Sequence, residues 1–405
     1  MIEKFCRTDF KSYEEFYSEF TINKPPRFNF VYDVIDEWAA QQPDKTAMVW
    51  CDEHGDEEII TFAMLKERSE RFANFFYSKG IRKGDTVMLV LKRRREYWYS
   101  MLALHRIGAV AIPATFLLTE KDIEYRCDSA GIKMIVCVNE QPLVGAIEKS
   151  FPKCRTLQNV VLVGKGSIPE GFSSVEEAFA MPAGFEKPTG DAYACAEDPL
   201  LIYFTSGTTG MPKMVLHNHY YPLGHILTAK FWHNLDENSL HITVADTGWA
   251  KASWGKLYGQ WICGAALFVY DMEKFEPLPL MQMVAKYHVT SFCAPPTIYR
   301  FAIKEDLSGI DFSHLRYATT AGEPLNGEVF NRFKQLTGIE IHEGFGQTES
   351  PVLIATYPWI KPVPGSLGKP SPLFGIKLLD EDGNEVEPGD EGEICIDIRD
   401  RKSVV

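Results

Sequence analysis

Residues Thr205-Ser206-Gly207-Thr208-Thr209-Gly210 place four hydroxyls and two glycines in six consecutive positions, with Lys213 shortly after. The apolar run at 200–204 reads as a buried strand leading into them. Glycines free the backbone there. Hydroxyls and amide N–H groups can surround phosphate oxygens while the lysine supplies a cation. The spacing is not that of a Walker A loop, G-x-x-x-x-G-K-[ST], and Pro212 stands where that motif's helix would start, which argues against a P-loop NTPase. Taken alone, such a cluster is more often a polar turn than a site. His217, His219, His225, His233 and His241 lie nearby without H-E-x-x-H or Cys/His spacing, so zinc is not expected. No G-x-S-x-G elbow points to a hydrolase.

Residue for residue, the loop resembles the signature of the adenylate-forming (AMP-binding) superfamily, [ST]-[ST/G]-G-[ST]-[ST]-G-x-P-K. Acyl- and aryl-CoA synthetases, amino-acid adenylation domains and luciferases share it. The resemblance extends to two later segments. Ala321-Gly322-Glu323-Pro324-Leu325, after an apolar run at 316–320, is similar to the family's adenine-contacting turn. Glu343-Gly344-Phe345-Gly346-Gln347-Thr348-Glu349, after a run at 339–342, looks like its Y-G-Q-T-E motif with Phe for Tyr. Standing alone, the latter would read as a capped, solvated helix start; three motifs in the family's order argue otherwise.

The resemblance implies attack of a carboxylate on the α-phosphate of ATP, giving an acyl adenylate and pyrophosphate, followed by transfer to coenzyme A. Setting two anions against each other requires a divalent metal and fixed donors. By resemblance Glu349 is the Mg²⁺ carboxylate, Thr348 a hydroxyl to the α-phosphate or metal shell, and Phe345 a flat face for adenine. Thr348, Glu349 and Lys213 are the catalytic candidates. Nucleotide contacts are expected from Thr205, Ser206, Gly207, Thr208, Thr209, Gly210, Lys213, Gly322, Glu323, Pro324, Glu343, Gly344, Phe345, Gly346, Gln347 and Thr348.

Ala245-Asp246-Thr247-Gly248-Trp249-Ala250-Lys251-Ala252-Ser253-Trp254 resembles the D-T-G-W-x-K-x-x-W run of medium-chain acyl-CoA synthetases, where Trp249 would wall the acyl pocket. A core tryptophan packing a strand end is the plainer reading, and the two are compatible. Acetyl-CoA synthetases carry a pocket-flooring Trp where this chain has Gly346. Removing an indole frees roughly 150–250 Å² of contact surface, so an acid larger than acetate is expected. Trp254 is expected to shorten the cavity from another side, favouring short branched acids. The acid is thus short-branched to medium-chain, or aromatic, bound by Trp249, Trp254, Gly322 and Gly346. An aryl-CoA ligase, or a truncated nucleotide- and acyl-binding module without catalysis, stands as the alternative. An amino-acid adenylation role for Asp246 ranks low.

The elements that must position these groups read as alternating strands and helices. Strands are expected at 86–91, 109–113, 132–138, 201–204, 241–245, 265–270, 291–294 and 316–320, with a helix at 96–106. This alternation predicts an α/β fold with largely parallel sheets. Two sheet-and-helix subdomains, 1–190 and 191–357, are expected, then a small β-rich subdomain at 358–405 resembling the family's distorted barrel, with Asp-Gly and Pro-Gly turns between short runs. The family continues into a Y-x-T-G-D motif and a mobile C-terminal domain with a catalytic lysine; both are expected to be absent here, making the chain an N-terminal part of low activity. Thr189-Gly190-Asp191 precedes the phosphate loop and does not match that motif.

With 405 residues, 45% hydrophobic and 24% charged, the chain can form several cores. A net charge of −13 argues against a nucleic-acid partner. Lys92-Arg93-Arg94-Arg95 is a local basic run that could meet the 3′-phosphate of CoA, though a solvated edge is the commoner outcome. Nine scattered cysteines without C-x-x-C read as reduced, buried thiols. No signal peptide, transit pattern or 18-residue apolar stretch is evident, so a cytoplasmic protein without a membrane span is expected. Partners are ATP, CoA and a small carboxylic acid; a homodimer is left open.

Overall fold

Parallel strands buried on both faces read as continuous apolar runs, and Val110–Pro113 and Met134–Val138 are buried along their whole length. They belong to a seven-stranded sheet in the computed structural model, which describes residues 1–205 and 210–397. Its order is Ser173–Ser174, Asn159–Val163, Met134–Val138, Thr86–Val90, Val110–Pro113, Pro199–Thr205 and Lys213–Asn218, parallel throughout except for the last pair. A nine-stranded sheet runs Lys369–Pro370, Ile354–Ala355, Ile341–Phe345, Tyr317–Thr320, Ser291–Cys293, Leu240–Thr243, Ala266–Asp271, Thr46–Asp52 and Glu57–Thr61. Its six central strands, Ile341–Phe345 through Thr46–Asp52, are parallel, and antiparallel strands finish both edges.

Because successive strand residues point to opposite faces, each sheet feeds two cores. Val87 and Leu89 join a central core, whereas Met88 and Val90 face an outer one. Leu267 and Val269 join the same central core, and Phe268 and Tyr270 face a second outer core. The two sheets therefore share an inner helical layer. Within it Glu96–Ile107 is buried at every position. Gly327–Thr337 lies on the outer face of the nine-stranded sheet, capped by the Asn326 side chain and ended by Gly338 at φ +77°.

Sheet membership does not follow the boundary at 190. The hairpin Thr46–Asp52/Glu57–Thr61 pairs with Ala266–Asp271 in the nine-stranded sheet, and Pro199–Asn218 completes the seven-stranded one. An apolar run reports burial but carries no record of which neighbour it meets. The barrel expected after 358 does not close among the described residues. Lys369–Pro370 adds to the nine-stranded sheet, and Ile376–Leu379 with Glu393–Ile396 forms a separate two-stranded ribbon. Seven cysteines are buried, Cys195 and Cys395 are half-buried, and all described thiols are free.

Candidate active site

In open parallel sheets, ligands collect outside the carboxyl ends of strands. Four neighbouring strands of the nine-stranded sheet deliver loops to one cavity of about 700 Å³. Leu240–Thr243 leads to Asp246, Trp249, Lys251 and Trp254, and Ser291–Cys293 leads to Pro295. Tyr317–Thr320 leads to Gly322 and Glu323, and Ile341–Phe345 to Gly346, Gln347 and Thr348. Four segments distant in sequence thus line one cavity.

Gly346 and Trp254 meet directly. A methyl group at Gly346 would come within 2.7 Å of both the indole Cζ2 of Trp254 and the carbonyl of Pro351. Gly344 has the same relation to Trp232, at 2.6 Å. The two indoles pack edge to face, 6.0 Å apart, and both are buried. The space expected to open at Gly346 is therefore filled by Trp254. Trp249, by contrast, is 64% exposed and stands at the mouth.

The acidic candidates occupy different surroundings. Glu323 accepts from the Thr297 N–H at 2.8 Å and from its hydroxyl, with Arg300 3.8 Å away; the Thr297 bonds lower its pKa. The buried carboxylate of Glu343 accepts from the N–H of Gly365 at 2.9 Å and of Leu325 at 3.3 Å, tying the Ala321–Leu325 turn to the segment beyond the motif, while burial raises its pKa. Glu349 is exposed beside the cavity-lining Thr348. Asp246 accepts from the Gly248 N–H at 2.9 Å and lies 3.9 Å from Arg93. Gly322 adopts φ +110°, a conformation costly to any other residue. Pro324 continues this turn, and Phe345 is half-buried against the central core.

The phosphate-loop candidate begins at Thr205, the last residue of Pro199–Thr205, which pairs antiparallel with Lys213–Asn218 so that Thr205 lies opposite Lys213. Ser206, Gly207, Thr208 and Thr209 lie outside the described residues. Gly210 has φ +117° and Lys213 is exposed. Two contacts anchor the hairpin: the Tyr125 hydroxyl donates to the Pro212 carbonyl at 2.8 Å, and His217 Nε2 lies 2.9 Å from the Thr348 carbonyl. A carbonyl only accepts, so His217 donates through Nε2. Burial pushes His217 down to about 4, keeping it neutral near pH 7. This link between hairpin and Gln-Thr-Glu segment escaped the motif reading. The sequence carried no signal for it: in the return strand the apolar Met214 and Leu216 are exposed and the polar His217 is buried, the reverse of what residue type suggests. Lys251 was likewise missed as a site residue; its Nζ donates to the Ala321 carbonyl at 2.7 Å.

The basic run is held in ion pairs. Lys92 pairs with Glu140 and, at 2.6 Å, with Glu273; Arg94 meets Asp271 at 2.5 Å, Glu273 at 2.6 Å and Glu140 at 2.9 Å; Arg95 meets Glu58 at 2.8 Å. Among the described residues no cluster of three or more His, Cys, Asp or Glu could cage a metal. None of the described helices is long and apolar enough to cross a membrane.

With this geometry in place, the comparison with known proteins is direct: the AMP-binding enzyme family matches residues 35–399. The chain belongs to that family. Human acyl-coenzyme A synthetase ACSM3, mitochondrial, is 35% identical over 401 residues, covering 96% of this chain and 67% of its own length. Human ACSM5, also named mitochondrial, is 36% identical over 386 residues, covering 93% and 65%. The chain therefore spans about two thirds of the length of these relatives. Among solved structures, an acyl-CoA synthetase of Brucella canis superposes with a TM-score of 0.86 at 25% identity, covering 97% of this chain and 73% of the other. The anthranilate CoA ligase AuaEII in complex with anthranoyl-AMP gives 0.83 at 25% identity, covering 91% and 70%.

Proposed function

We propose that this chain activates a short carboxylic acid, C4 to C6 and branched acids included, as its acyl adenylate in an acyl-CoA synthetase reaction. The observation that carries this reading is the single cavity in which Trp249 and Trp254, Gly322 and Glu323, and Gly346 to Thr348 converge. In the adenylation step a carboxylate oxygen of the acid forms a bond to the α-phosphorus of ATP, and the α–β phosphoanhydride bond breaks to release pyrophosphate. The thiol of CoA then displaces AMP from the acyl carbon. Thr205, Lys213 and the loop between them would hold the phosphates, and the Thr348 hydroxyl would reach the α-phosphate. His217 positions Thr348 through its carbonyl. The exposed Glu349 suits Mg²⁺, which is commonly held by one or two carboxylates together with substrate phosphates and water. That ion would offset charge on the phosphates.

Trp254 over Gly346 supports the size limit, because the indole closes the side on which a longer tail would extend. The test is acid-dependent exchange of labelled pyrophosphate into ATP with Mg²⁺, across acetate, isobutyrate, 2-methylbutyrate, hexanoate, octanoate and benzoate. Exchange should peak between C4 and C6. Measurable ATP binding with no exchange for any acid would overturn the adenylation reading.

A further inference from the structure

The helix Lys251–Gly255, which carries Trp254, has five residues and no side-chain cap at its start. A helix this short is not stable on its own, so contacts from outside must fix where it stands. Lys251 ties its first residue to the Ala321 carbonyl, and the Gln260 amide donates to the Trp254 carbonyl at 2.9 Å. Ser253 reaches the other sheet. Its hydroxyl lies 2.6 Å from the hydroxyl of Tyr203, 50 residues away in sequence. Tyr203 stands on Pro199–Thr205, two residues before Thr205, where the phosphate-loop candidate begins. Both side chains are buried, and burial raises the pKa of the Tyr203 phenol, which keeps it neutral.

Apolar packing is non-directional, so a short helix held by it alone could slide against the strand. A hydrogen bond weakens steeply away from its preferred distance and angle, and losing one partner in the central core leaves a buried hydroxyl unsatisfied. Phe and Ala would fill nearly the same space without that penalty. We infer that Tyr203 and Ser253 are positioning residues whose hydrogen bond sets where the Trp254 wall of the acyl cavity stands relative to the phosphate loop. This rests on the adenylation reading and adds to it two residues that no motif marks. Trp254 follows Ser253 directly, so a shift of the helix would move the indole off Gly346. The bond thereby holds acid and nucleotide in one register, which attack of the carboxylate on the α-phosphorus requires.

Pyrophosphate exchange and urea unfolding of Tyr203→Phe, Ser253→Ala and the double variant test this. Each single variant leaves one buried hydroxyl without its partner, so the urea midpoint should fall, and the exchange kcat should fall roughly three- to tenfold. In the double variant neither hydroxyl remains, and the urea midpoint should return toward that of the unmodified protein. Exchange should nevertheless stay as low as in the single variants, with octanoate gaining on 2-methylbutyrate as the indole loosens. A merely structural pair would not separate activity from stability in this way. Recovery of exchange together with stability in the double variant, or an unchanged kcat and acid preference in all three, overturns the inference while leaving adenylation intact. No exchange in the unmodified protein with any acid of the series would instead remove the adenylation reading and this inference with it.

Discussion

Gly346 and Trp254 cannot be changed independently, because the Cβ of any residue at 346 would overlap the indole. Gly346→Ala should destabilise the protein by about 1–3 kcal/mol through overpacking and abolish exchange, since the displaced segment carries Thr348. Trp254→Ala should cost on the order of 3–5 kcal/mol for the cavity it leaves and move the preferred acid from C4–C6 toward octanoate. In the double variant the alanine methyl is freed from the indole and meets only the Pro351 carbonyl, so the combined loss should fall short of the sum. Urea unfolding of the four proteins, with exchange profiles over C4 to C10 acids, measures this coupling. Additive losses, or an unchanged chain-length profile in Trp254→Ala, would contradict the contact as the length stop. The glycine was visible in the linear motif as a missing indole. Trp254 was expected to shorten the cavity from another side; that it packs directly on Gly346 was not visible, because spacing along the chain carries no information on which side chain enters the vacated space.

At the scale of elements, the hairpin Pro199–Thr205/Lys213–Asn218 and the segment after Ile341–Phe345 belong to different sheets, and the His217–Thr348 bond connects them. His217 also stacks on Tyr221 with ring centroids 3.8 Å apart. His217→Phe should keep the stacking and remove the donor. Exchange should then fall roughly three- to tenfold, the value of one ordinary hydrogen bond, with the unfolding temperature little changed. Unaltered exchange would show that the hairpin and the Gln-Thr-Glu segment are positioned independently. Most strands around this site were legible: the expected runs at 86–91, 201–204, 265–270 and 291–294 match Thr86–Val90, Pro199–Thr205, Ala266–Asp271 and Ser291–Cys293 within two residues. Partnership was less legible. The Thr46–Thr61 hairpin crosses to the nine-stranded sheet, and His217 and Lys251 act through carbonyls that any residue could supply.

Across the whole molecule, the layers around the sheets hold an unusual load of neutral imidazole. His105, His217, His219, His225, His233, His241 and His342 are all buried, and burial lowers each pKa: to about 4 for His217, His219 and His342 and to about 3 for His241. Several stack on aromatic neighbours, His233 on His241 with centroids 4.4 Å apart and His342 on Tyr317 at 4.1 Å. An unfolded histidine titrates near 6.5. Above that value neither state binds the proton and stability is level. As the pH falls from about 6.5 toward 4 the unfolded chain takes up protons that the fold excludes, so each residue removes about 1.4 kcal/mol per pH unit. Several acting together exceed a typical stability of roughly 5–15 kcal/mol within one or two units. Carboxylates with lowered values, such as Glu58, Glu273 and Asp198, begin to weaken the fold only as the pH falls through the ordinary carboxylate range of roughly 4 to 4.5. The histidines' contribution to the urea midpoint should therefore be flat from pH 8 to 7 and fall steeply between 6.5 and 5, while buried Lys256, pushed down to about 7, adds a separate slope above pH 7. His241→Asn, which retains polar contact with Ser291 and Thr243, should make that slope shallower by about one proton. A stability profile level down to pH 4.5 would assign acid unfolding to the carboxylates and leave the histidine layer without the predicted effect.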